Sequence, residues 1–138
     1  MPPHPKLLCS LMYGAGLRAS EVLRLRIMDI NFDHDCIEVR DGKGKKDRFV
    51  PLPHICIIPL RELIQRLRFE WEQRIAHGDP GVSLPDRTLS KSPEASKEWG
   101  YYYLSPSARL SRHPRTGATL RHHIHKDSLQ KQFKRALH

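Results

Sequence analysis

Two short β-branched runs on either side of a lysine-rich turn constrain this chain more than any other feature. Cys36-Ile37-Glu38-Val39-Arg40 and Arg48-Phe49-Val50-Pro51-Leu52 alternate apolar with polar residues, and Asp41-Gly42-Lys43-Gly44-Lys45-Lys46-Asp47 lies between them. Alternation predicts strands and the glycines predict a turn, so residues 36–52 read as a β-hairpin with a basic tip. Pro51 cannot donate to a sheet ladder, which assigns the second strand to an edge. Helical patterns flank the hairpin. The run Lys6–Tyr13 ends at Gly14-Ala15-Gly16, where glycine suits a C-terminal cap, and Tyr13 reads as core. A second pattern starts near Ala19 with Val22, Leu23 and Arg26. Leu60, Leu63, Ile64, Leu67, Trp71 and Ile75 then repeat at helical spacing over Pro59–His77, closed by Gly78. The expected fold class is α+β: mainly helical, with a small antiparallel sheet.

Downstream patterning is weaker. Residues 78–98 are rich in Pro, Ser and Gly and read as an irregular loop with one helical turn at Pro93–Trp99. Tyr101–Leu104 reads as a short strand and Ser105–Thr119 as a basic loop. Asp127 opens a last helix with Leu129, Phe133 and Leu137 on one face.

Charge narrows the partner. Lys+Arg total 24 against Asp+Glu 15 in 138 residues, a net of +9 with histidine neutral. That excess favours a polyanion, nucleic acid ahead of an anionic membrane, because no strongly basic helix with an aromatic face is present. No apolar run reaches the roughly 18 residues of a membrane span. Met1-Pro2-Pro3-His4-Pro5 lacks a basic n-region feeding an apolar stretch, so no secretory signal is expected. Cys9, Cys36 and Cys56 are odd in number and widely spaced, and read as small hydrophobes in a reducing compartment.

One segment stands out chemically: Gly14-Ala15-Gly16-Leu17-Arg18-Ala19-Ser20-Glu21. The glycines bring backbone close to whatever Arg18 addresses, and Arg18 stands at a helix start, where free N–H groups favour an anion. Glu21, three residues on, is placed to brace the guanidinium while leaving its fork for a phosphate. Alone, R-x-x-E is an ordinary surface salt bridge, and a lysine turn alone is a solvated one. Together, a G-x-G-L-R-x-S-E helix start followed by G-K-G-K-K-D-R and V-P-L-P resembles the tyrosine recombinases of the phage-integrase family. The resemblance matches Arg18 to the first catalytic arginine, Glu21 to its supporting acid and Lys43 to the hairpin lysine. Lys45, Lys46 and Arg48 join them as DNA-contacting candidates.

A second stretch sharpens the likeness. Glu98-Trp99-Gly100-Tyr101, Ser105-Pro106-Ser107, His113-Pro114-Arg115-Thr116-Gly117 and Arg121-His122-His123-Ile124-His125 resemble the insertion region of integron integrases. That resemblance implies that flat side chains grip bases bulging from a folded single-stranded site, by stacking and not by groove readout. Trp99, Tyr101, Pro114, His122 and His123 are the candidates, with Arg115 and Arg121 beside them. His122, His123 and His125 lack a further ligand group, so no metal or cofactor is expected.

The same likeness implies a tyrosine nucleophile, a 3′-phosphotyrosyl intermediate, charge neutralisation by two arginines, and a lysine that protonates the leaving 5′-oxygen. It also implies an H-x-x-R helix, a second histidine and the tyrosine, none of which occurs in these 138 residues. The expectation is a partial catalytic domain over 1–138. Residues 6–77 hold the Arg/Glu helix start, the hairpin and the long helix; 78–126 are the insertion region; 127–138 begin a further helix. Such a chain would bind DNA in a bacterial cytoplasm, associated with the nucleoid, without cleaving alone; the alternative is a non-catalytic basic nucleic-acid-binding module or the product of a truncated or decayed integrase gene. The partial domain would self-associate through the 60–75 stripe and the Leu129/Phe133 face.

Overall fold

The computed structural model describes residues 3–40, 47–85, 92–112 and 117–137. Helix α1, Pro3–Ala15, ends where Gly16 takes a φ of +70°. The Leu17 N–H then closes back on the Met12 carbonyl at 3.1 Å, the bond of a Schellman cap. Helix α2, Ala19–Leu23, is five residues long. Three strands follow, β1 (Ile30–Asn31), β2 (Cys36–Val39) and β3 (Arg48–Pro51), in the order β1-β2-β3 and antiparallel throughout. The hairpin therefore pairs as its alternation predicts, with Ile37 opposite Val50, and the proline-bearing strand is at an edge. Helix α3 runs from Ile57 to Ala76 and buries Leu60, Leu63 and Leu67. It packs beside α1, whose Leu7, Leu8 and Leu11 share the same core with Val22, Leu23, Ile37 and Val39.

The second half departs from expectation. The segment read as a basic loop is a strand, β4 (Pro106–Arg112), paired antiparallel with β5 (Thr119–His123). Its residues are mostly exposed, so burial never imposed an alternating pattern that sequence could reveal. Trp99–Tyr101 form a short 3-10 turn, and the expected 101–104 strand reduces to one bridge between Tyr103 and Arg26. Around that bridge Ile27 N–H donates to the Tyr102 carbonyl at 2.8 Å and Leu104 N–H to the Leu25 carbonyl at 3.0 Å. Tyr102, Tyr103 and Leu104 are buried there, so the second half of the chain shares the core of the first. Helix α4, Lys126–Leu137, seats Leu129 in that core and half-buries Phe133.

Of the apolar faces on α3 and α4, Leu60, Leu63, Leu67 and Leu129 lie in the core, and Ile64, Trp71 and Phe133 pack half-buried against it. Tyr13, read as core, is 86% exposed, because α1 turns its Leu7–Leu8–Leu11 side inward. Cys56 is buried and its thiol is pushed up by desolvation; Cys9 and Cys36 are half-buried and all three are free.

Candidate nucleic-acid interface

Arg18 is the N-cap residue of α2, with extended backbone (φ −77°, ψ 157°) and an exposed side chain. Glu21 stands at the third helical position, from which a carboxylate reaches back to the cap. Its Oε1 accepts the Arg18 backbone N–H at 2.9 Å. The same carboxylate receives a fork from Arg48 on β3, Nη1 to Oε2 at 2.6 Å and Nη2 to Oε1 at 3.0 Å. Glu21 thus does not grip the Arg18 guanidinium, as its spacing suggested. It fixes the turn that carries Arg18 and ties it to the hairpin strand. The Arg48 hydrogen bonds, ahead of the Arg18 N–H, hold the Glu21 carboxyl down at about 2 against the desolvation that opposes them. With only five residues in α2, the attraction for an anion comes from the Arg18 guanidinium more than from a helix field.

The other hairpin strand is tied to the same region. Arg40, just beyond β2, donates Nε to Asp29 Oδ1 at 2.8 Å and Nη2 to Glu38 Oε2 at 2.5 Å. Asp29 also accepts the Arg26 N–H at 2.9 Å. Both strands are therefore fastened, at residues 40 and 48 on either side of the turn, by separate ion pairs to the segment 18–29. Lys43, Lys45 and Lys46, like Pro114 and Arg115, lie outside the described residues.

Beside this frame opens a cleft of about 160 Å³ lined by Glu21, Arg24, Arg26, Arg40, His122 and His123 among others. His122 is exposed, and its Nδ1 lies 2.7 Å from Ser83 Oγ. The two histidine rings are 4.0 Å apart between centroids at 35°. His123 Nδ1 donates to the Ile124 carbonyl at 2.8 Å. Burial first, and then the positive charge of Arg26 and Arg24, lower the pKa of His123, against the pull of that hydrogen bond. The consequence is a neutral ring at physiological pH.

Three other candidates sit elsewhere. Trp99 is half-buried against Trp71 and Tyr102, with centroids 5.6 and 5.8 Å away, and Arg68 lies 5.3 Å over its ring. Its ring packs residues 99–102 against α3, a structural role beside the one its sequence position suggested. Tyr101 is half-buried, its carbonyl receiving Arg26 Nη1 at 2.8 Å. Arg121 is 6% exposed, pairs with Asp79 at 2.5 Å and donates to the Ser107 carbonyl at 2.8 Å. That guanidinium joins β5 to the loop after α3, so it braces the protein and is not presented to DNA.

Sequence reasoning passed over Arg24, Tyr103 and Ser83. Arg24 and Arg26 flank Leu25 as a visible basic pair, but nothing local shows which faces solvent; Arg24 is exposed and Arg26 buried. Among the described residues no group of three or more His, Cys, Asp or Glu could hold a metal ion, and no helix is long and apolar enough to cross a membrane.

Comparison with known proteins places this frame. Residues 2–136 match the phage integrase family. An integrase/recombinase from Escherichia coli and another from Pseudomonas aeruginosa are each 42% identical over 132 residues, covering 96% of this chain and 39% of theirs. A tyrosine recombinase XerA from Pyrococcus furiosus is 43% identical over 61 residues, covering 44% of the chain and 21% of the relative. The chain thus spans about 39% of the length of the bacterial relatives that it matches nearly end to end. With the match running through both the Arg18 turn and the β4–β5 pair, this chain belongs to the phage integrase family.

Proposed function

We propose that the chain is the first part of the catalytic domain of a site-specific DNA recombinase of the integron-integrase type, acting in gene-cassette integration and excision. The observation that carries this reading is the Glu21 carboxylate, which joins the Arg18 turn to the strand leading from the lysine hairpin. In this reading Arg18, held by that frame, would neutralise the developing charge on a phosphate, and the family resemblance assigns Lys43 to protonate the leaving oxygen. Lys45, Lys46, Arg48 and Arg24 would add phosphate contacts, and His122 and His123 would contact extrahelical bases of a folded recombination site. The nucleophilic tyrosine that forms the 3′-phosphotyrosyl link is not supplied by these 138 residues. The chain alone is expected to hold DNA without cutting it.

Salt-dependent binding tests this reading. The 138-residue chain is titrated with a folded DNA hairpin bearing extrahelical bases and with a matched perfect duplex. Arg18→Ala should weaken both and lower the salt slope by about 1. His122→Ala should lower only the preference for the hairpin. Equal affinity for the two DNAs would remove the integron-type assignment, and covalent capture of a suicide substrate would refute inactivity of the isolated chain. Self-association would use Tyr13, Ile55, Ile58 and Phe69, which are exposed. A monomeric mass by light scattering at high concentration would refute it.

A further inference from the structure

Four side chains form one hydrogen-bonded file from the interior to the cleft. Arg26 Nη2 donates to Tyr103 Oη at 2.9 Å, Tyr103 Oη lies 2.8 Å from Ser83 Oγ, and Ser83 Oγ lies 2.7 Å from His122 Nδ1. They come from the segment after α2, the segment after the Trp99–Tyr101 turn, the loop after α3 and β5, so only the folded chain assembles them. Arg26 is 8% exposed, and its guanidinium also sits 4.2 Å over the Tyr103 ring.

The direction of the protons follows from where the file begins. A guanidinium only donates, so one lone pair of the Tyr103 oxygen is taken by a cation, which makes its O–H the stronger donor. That proton has two acceptors, Ser83 Oγ at 2.8 Å and the Ser83 carbonyl at 3.4 Å, and the shorter contact prevails. Ser83 then has its own proton for His122 Nδ1. An imidazole that accepts at Nδ1 carries its proton on Nε2. His123 is the reverse, because its Nδ1 faces a carbonyl that can only accept. Tyr103 also meets both rings edge-on, at 5.7 Å and 74° for His122 and 5.3 Å and 85° for His123.

We propose that Arg26, Tyr103 and Ser83 are positioning residues that fix His122 in its Nε2–H tautomer and set its ring plane for contact with DNA, beside a His123 of the opposite tautomer. This rests on the reading above that His122 touches DNA. Neither Tyr103 nor Ser83 needs to meet the nucleic acid.

The test combines a spectroscopic and a binding measurement on the 138-residue chain. Nitrogen-15 NMR of labelled histidine, at a pH above 6.5, should show His122 as the Nε2–H form and His123 as the Nδ1–H form. Tyr103→Phe keeps the ring and removes the hydroxyl. It should release His122 into a tautomer mixture, leave His123 unchanged, and lower the preference for the bulged hairpin over perfect duplex about threefold to tenfold. Ser83→Ala should do the same, and decides the matter if Tyr103→Phe does not fold. If His122→Ala lowers the preference while both hydroxyl variants leave preference and tautomer as they were, positioning is refuted and the DNA-contact reading stands. If His122→Ala has no effect, the DNA-contact reading falls, and the positioning role falls with it even where the tautomers are as expected.

Discussion

Replacing Glu21 by glutamine keeps an oxygen to receive the Arg18 N–H and removes the charge that holds Arg48. Its consequence for stability can be worked from the structure. The carboxyl is held at about 2 against its ordinary 4.5, chiefly by the Arg48 hydrogen bonds. At roughly 1.36 kcal/mol per pH unit, that gap is at most about 3.4 kcal/mol. Glu21 is 11% exposed but Arg48 is 48% exposed, so solvent screens the pair. The share expected to survive is about 1–2 kcal/mol. Because the folded pKa is depressed, this contribution is complete above pH 4.5 and is lost as the pH falls through about 2. Urea unfolding of the parent and Glu21→Gln, compared from pH 7 to pH 2, isolates it from the other carboxylates. The two should differ by about 1–2 kcal/mol at neutral pH and converge at the acid end. A difference that stays constant with pH would mean that Glu21 acts by packing or capping alone, and would refute the ion-pair account of the frame.

Two further predictions concern the second half of the chain. Asp79→Ala should cost about 3–5 kcal/mol by leaving Arg121 charged and buried, whereas Asp79→Leu combined with Arg121→Met should recover most of that loss. Urea midpoints for the singles and the double decide it, and a double variant as unstable as Asp79→Ala would refute the reasoning. Trp99→Ala should lower stability by about 2–3 kcal/mol, as expected for a large half-buried ring. Hairpin-over-duplex preference should be retained in the folded fraction, and its selective loss at full stability would assign Trp99 a base-contacting role.

Legibility in the sequence followed the range of the interactions. The 36–52 hairpin and the α3 helix were readable because alternation and helical spacing are local consequences of burial on one face. The Arg18–Glu21 turn was readable for the same reason, since a cap and its third helical residue are three positions apart. What Glu21 holds was not readable, because Arg48 is 27 residues away and enters through sheet register. The β4–β5 hairpin escaped because an exposed strand carries no required pattern. Arg121 and Arg24 look alike in a basic sequence, and only the position of Asp79 turns one of them inward. The packing of Trp99 was hidden by the same limit, because its neighbour Trp71 comes from α3, 28 residues earlier in the chain.

The stitch between residues 25–27 and 102–104 also has a consequence in time. A ribosome makes Arg26 77 residues before it makes Tyr103, the side chain that covers it. At roughly 5–20 residues per second, that interval is about 4–15 s. During it, the Leu25 carbonyl, the Ile27 N–H and the Arg26 guanidinium lack the partners that residues 101–104 supply. The hairpin and α3 can form early from neighbouring sequence, but the face of the Arg18 segment that abuts residues 101–104 closes only when the second half arrives. A nascent chain halted before Leu104 would carry an open edge at residues 25–27, and the cleft beside it would lack the wall that His122 and His123 later supply.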